Sequence, residues 1–200
     1  IIKEKSGSYL NNKLDKKWTY WADDGRKTEE ITYSNGVKNG LYTSWNNDNY
    51  KIAEGEYLKG EKHKTWTLWY DDGSIKGEEN YSSGEMDGQW TWWRPNGVKD
   101  QEGNFKNGVK HGLWISWNDN DHKKGEETYV NGVLDGLVTV WHDNGNKDRE
   151  GIIRGNEPEG SWTYYFADGT EDFRFDYGSG LDRVRIAELE ERDNMFYKIG

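Results

Sequence analysis

The chain has no cysteine and only two prolines among its 200 residues. Without cysteine there is no disulfide, no thiolate nucleophile and no thiolate metal site, so redox chemistry leaves the compartment undecided. Leu, Ile, Val and Phe number 33, and hydrophobic residues make up 32% of the chain, against a usual ~45–50%. A thick aliphatic core is excluded. No apolar run approaches the roughly 18 residues of a membrane helix, and no signal peptide is visible. Positive charge is short as well: 37 Asp and Glu against 27 Lys and Arg give a net charge of -10. Nucleic acid and anionic headgroups are held by clustered Lys and Arg, so neither is favoured as a partner. The chain opens on Ile1 and not on Met, which reads as a piece of something longer.

What the chain has is rings: 12 Trp and 13 Tyr. So few aliphatics with so much charge would ordinarily mean disorder, but each aromatic side chain can bury roughly 150–250 Å². The expectation is an ordered, thin protein packed through its rings.

The rings are periodic. "NGVKNGLYTSW" at residues 35–45 is nearly repeated by "NGVKHGLWISW" at 107–117, and Trp21, Trp45, Trp69, Trp93, Trp117 and Trp141 fall at steps of 24. A second ring column runs through Trp18, Tyr42, Trp66, Trp90, Trp114 and Trp162, with Val138 as its exception. Each unit carries one turn of the type "DDG", "PNG" or "DNG" and a second ending at Gly36, Gly60, Gly84, Gly108 or Gly132. Gly, Asn and Asp at these positions suit hairpin turns, and the segments between them are short and rich in Trp, Tyr and Thr. Two strands per unit follow, stacked at ~4.8 Å per strand into a sheet of about a dozen strands with a right-handed twist. Trp18 and Trp21 stand three apart, which places them on opposite faces of a regular strand unless a bulge re-aims one of them; strands bent near each turn are the expected solution. The organisation is a partial repeat over 1–17, seven repeats over 18–177, and a last stretch over 178–200 that opens on the short joint "GSG". The tail is open to a helix over "RIAELEER" or a hairpin at Asp193-Asn194, the hairpin being favoured.

The unit "GxWxxW…NGxxxxE…YxNGxxxG", cleanest at residues 88–112, resembles the MORN-type repeat, in particular the bacterial variant found in YwqK-family antitoxins. The resemblance covers roughly residues 9–177, and it implies that "ELEERDNMFYKIG" at 188–200 is the start of a further module. It implies an all-β fold: an elongated, twisted, single-layer antiparallel sheet of stacked β-hairpins with a 24-residue period. The extended surface of such an array suits a non-enzymatic scaffold that binds another protein, and under the resemblance a basic toxin is one such partner.

Candidate chemistry is sparse. Glu30, Glu54, Glu78, Glu102, Glu126 and Glu150 form one column, with Lys27, Lys51, Lys99, Lys123 and Lys147 three residues earlier. At one carboxylate per ~10 Å this is a structural ladder, not a cation site, since Ca²⁺ takes six to eight oxygens. The four histidines have no metal-ligand spacing, no Gly-rich turn leads into a helix to hold phosphate, and no nucleophile has a column base. No cofactor, metal or catalytic residue is expected. Trp21, Trp45 and Trp141 belong with the structural ladder. The richest candidate binding strip is Trp66, Trp69, Trp90, Trp92, Trp93, Trp114 and Trp117. Such rings also suit carbohydrate or cell-surface binding, a second reading. The compartment, cytoplasmic or at the cell envelope, stays open.

Overall fold

The computed structural model describes residues 4–178; the proposed joint and tail beyond them lie outside the described residues. Sixteen strands form one open antiparallel sheet. They are β1 (Lys5–Leu10), β2 (Lys13–Trp21), β3 (Lys27–Ser34), β4 (Val37–Trp45), β5 (Lys51–Leu58) and β6 (Glu61–Trp69). Then come β7 (Ile75–Ser82), β8 (Glu85–Met86), β9 (Gly88–Trp93), β10 (Lys99–Lys106) and β11 (Val109–Trp117). The last are β12 (Lys123–Val130), β13 (Val133–Trp141), β14 (Lys147–Arg154), β15 (Glu157–Tyr165) and β16 (Glu171–Asp176). Apart from β8, which pairs only with β7, strands neighbour one another in chain order. The sheet is a plain meander. It has more strands than the expected dozen, because the partial repeat supplies β1 and one strand is split at Asp87.

The turns follow from their residues. At Asn35-Gly36 both central residues have positive φ, 55° and 87°, the combination whose twist matches paired strands. The other turn closes by Gly25 N–H donating to the Ala22 carbonyl at 2.9 Å, with Gly25 at φ 85°. Where that glycine is missing, Asn49 and Asp121 adopt the same left-handed conformation, at 64° and 62°, as short polar side chains do.

Two register shifts recur in each unit. Tyr20 pairs with Glu29 but Trp21 with Lys27, so β3 holds one extra residue; Ile31 pairs with Tyr42 but Tyr33 with Lys38, so β4 holds two. Between Trp18 and Trp21 the β2 strand itself is regular. The spacing of three therefore means what alternation says: the two Trp columns lie on opposite faces. The bend expected near each turn is real, but it lies across from these rings and redirects neither.

We call the side bearing Trp18 the ring face. It holds the core, with Trp18, Trp66, Trp90, Trp114 and Trp162 all 2–3% exposed. Edge-to-face neighbours from the preceding strand pack against them: Tyr57 on Trp66 and Phe105 on Trp114, both at 5.0 Å. Each of these five indoles donates its N–H to the backbone carbonyl ten residues earlier, as Trp66 does to Glu56 at 3.2 Å and Trp114 to Asn104 at 3.1 Å. For four of them that carbonyl stands at the two-residue interruption of the ladder, where regular pairing lapses. The indole satisfies a group the bulge would leave unpaired.

Beneath four of these rings there is only backbone. A Cβ added at Gly7, Gly55, Gly103 or Gly151 would stand 2.2–2.3 Å from the indole of Trp18, Trp66, Trp114 or Trp162 respectively. Where that position carries a side chain, the residue eleven on is smaller than Trp: Ile31 faces Tyr42 and Glu127 faces Val138. Glu79 with Trp90 is the exception, and there the strand breaks into β8 and β9. The packing therefore alternates with a period of two repeats.

Candidate binding surface

The opposite side, the ladder face, carries Trp21, Trp45, Trp69, Trp93, Trp117 and Trp141, all half-buried. The Glu column lies on the same side, because Glu30 pairs with Thr19 and Thr43, one strand position from Trp18 and Tyr42. Lys27 reaches Glu30 at 2.7 Å, Lys51 Glu54 at 2.5 Å, Lys99 Glu102 at 2.7 Å and Lys147 Glu150 at 2.6 Å; Lys123 pairs with Glu126 in the same way. The same ammonium groups lie over the indoles of the next repeat: Lys27 at 4.9 Å from Trp45, Lys51 at 6.0 Å from Trp69, Lys99 at 5.2 Å from Trp117 and Lys123 at 5.6 Å from Trp141. Lys, Glu and Trp form one repeating cluster joining two repeats through charge and ring quadrupole. In the third repeat Ile75 replaces the lysine, so Glu78 and Trp93 lack this cation.

These contacts shift the carboxyls. Burial opposes ionisation of Glu30, yet the hydrogen bonds from Lys17 and Lys27 outweigh it and hold its pKa below the ordinary value. For Glu150 the bond from Lys147 is the largest influence and the Tyr165 hydroxyl, at 2.7 Å, adds to it. On the ring face, burial lowers the pKa of Lys110, whose ammonium lies 4.2 Å from the Trp114 ring.

The seven-tryptophan strip expected from sequence is not one surface. Trp66, Trp90 and Trp114 are buried on the ring face and Trp92 is half-buried beside them; only Trp69, Trp93 and Trp117 lie on the ladder face. Those three join Trp21, Trp45 and Trp141 in a single file. Residues unmarked by sequence reasoning complete this side: Leu41, Leu113 and Leu137 are 67%, 48% and 51% exposed. Their strand parity shows it, since each precedes a ring-face residue.

The loops at one edge are also tied to one another. Asn46 donates to the Asp71 carbonyl at 3.0 Å, Tyr70 to that of Trp93 at 2.7 Å, Arg94 to that of Trp117 at 2.5 Å and Asn118 to that of Asp143 at 3.0 Å. One residue per repeat thus reaches the next turn and holds adjacent hairpins in register. Among the described residues no group of three His, Cys, Asp or Glu could hold a metal ion.

The geometry of stacked 24-residue hairpins agrees with a family comparison. The MORN repeat variant matches residues 62–83, 86–107 and 110–131. These are three consecutive units, each match beginning 24 residues after the one before it. The units before and after them carry the same columns and the same hairpins. No curated protein matches the chain.

Proposed function

We propose that this protein is a non-enzymatic repeat scaffold that binds another protein along the ladder face. The observation that carries the reading is the single layer: the ring face consumes its side chains in its own packing. The ladder face keeps a file of indoles and exposed leucines with no second layer over them among the described residues. Exposed apolar surface of this extent marks interaction sites, and repeat arrays bind through such extended faces. MORN-type repeats are scaffolds often used for binding, which agrees. With net charge -10 a basic protein fits best, and a toxin neutralised by this chain is the partner that the likeness to YwqK-family repeats suggests. The lysines over Trp45, Trp69, Trp117 and Trp141 occupy positions that a stacked sugar would need.

The absence of cysteine gives a clean test. Single variants Thr65→Cys on the ladder face and Asp48→Cys in the loop edge, each carrying a photo-crosslinker, are exposed to lysate of the source cells. A protein joined to the Thr65 position and not to the Asp48 position is expected, with yield falling as salt rises. No protein adduct, or equal labelling at both sites, would refute the reading.

A further inference from the structure

The near-copy of residues 35–45 at 107–117 has a structural counterpart. On the ladder face, Val37, Leu41 and Leu58 are 46%, 67% and 38% exposed; three repeats on, Val109, Leu113 and Val130 are 41%, 48% and 46% exposed. Each trio lies on two neighbouring strands, β4 with β5 and β11 with β12. A Cβ on Gly60, in the turn after Leu58, would lie 3.5 Å from Val37, and one on Gly132, after Val130, would lie 3.3 Å from Val109. Val133 and Leu137, 38% and 51% exposed, enlarge the second patch. In the two repeats between, the same positions hold Glu61, Thr65 and Ser82, then Glu85, Gln89 and Lys106. Corresponding residues of the two patches lie six strand spacings apart, ~29 Å along the sheet, with these polar positions between them.

Resting on the scaffold reading, we propose that these patches are two feet of one bivalent site for a single unfolded basic segment. That segment carries two aliphatic clusters, one for each foot, joined by a linker rich in Lys and Arg. The occupant is set by charge and spacing. Among the described residues Glu61 and Glu85 in the gap are exposed and pair with no cation, against the one exposed Lys106, so a linker crossing them meets a net negative strip on a chain of net charge -10. A span of ~29 Å takes at least about nine extended residues, and a flexible chain follows whatever twist the sheet has between the feet. Tethering makes the second contact intramolecular, so two patches that are weak alone bind firmly as a pair.

The probes are synthetic peptides: two Leu-Val-Leu clusters joined by a Lys/Ser linker of about twelve residues, the same with a linker of about four, and single-cluster versions. Binding is read by isothermal titration or fluorescence anisotropy. The long-linker peptide should bind at least about tenfold more tightly than the single-cluster and short-linker peptides. Leu41→Asp or Leu113→Asp alone should reduce it to the single-cluster level, and Glu61→Gln with Glu85→Gln should weaken it and flatten its salt dependence. Both leucines are exposed, so the variants should keep the wild-type far-UV spectrum; Leu41→Ser and Leu113→Ser repeat the test with a smaller change. Equal binding of all peptides, or no effect of either leucine variant, would overturn the two-foot site. Crosslinking at the Thr65 position could still succeed in that case, so the scaffold reading would stand.

Discussion

At the scale of single residues, the account turns on a glycine beneath an indole. Gly55 and Gly103 have no room for a methyl group, because the centre of a buried indole, Trp66 or Trp114, fills the space. Gly55→Ala and Gly103→Ala should each destabilise the protein by about 1–3 kcal/mol. Gly125→Ala, whose Cβ would meet only the Ser116 hydroxyl at 3.2 Å, should cost less. Urea unfolding of the three variants makes the comparison. The indole N–H gives a second prediction. Trp66→Phe keeps a ring but strands the Glu56 carbonyl, and should lose about 1–3 kcal/mol, whereas Tyr57→Phe on the neighbouring ring should lose less. The glycine rule was open to sequence reading, as Gly7, Gly55, Gly103 and Gly151 each precede a Trp by eleven. It stays hidden in a search at period 24 because it recurs only every second unit, with Ile31, Glu79 and Glu127 between.

At the scale of the element, a hairpin is joined to the next by its Lys–Glu–Trp cluster. Glu30 and Glu150 have folded-state pKa values below their ordinary ones. Such groups contribute stability above the unfolded carboxylate pKa near ~4.3, and the contribution is lost as pH falls through the folded value. The urea midpoint should therefore drop as pH is lowered from about 6 to about 3, and Lys27→Met with Lys147→Met should flatten that drop. An unchanged pH profile would count against the clusters. Strands, turns and the Lys–Glu spacing were legible in the residues, because turn chemistry and alternation act locally. The division of the rings between faces was legible only in part. A spacing of three admits either opposite faces or a bulge, and the bulge turned out to sit in the partner strand, which no pattern within β2 reveals. For that reason the sequence pattern groups Trp66, Trp90 and Trp114 with Trp69, Trp93 and Trp117, although the sheet separates them.

At the scale of the whole molecule, the array behaves as nearest-neighbour units, each touching only the strands beside it. Removing residues 86–109, one period, joins Glu85 to Lys110 in phase and should leave the far-UV spectrum per residue unchanged. Removing 12 residues from the same point puts turn and ring columns out of step and should abolish cooperative unfolding. The exposed aliphatics of the ladder face were not legible as a surface from sequence, since Leu41 and Leu113 look like core residues until the sheet is known to have one layer. The central claim is that the two Trp columns live on opposite faces, one closed and one open. Incorporation of 5-fluorotryptophan tests it most directly, through the H₂O/D₂O isotope shift of each of the 12 assigned resonances. Trp18, Trp66, Trp90, Trp114 and Trp162 should show almost no solvent shift while Trp21, Trp45, Trp69, Trp93, Trp117 and Trp141 show clear ones; comparable shifts in both columns would contradict the account.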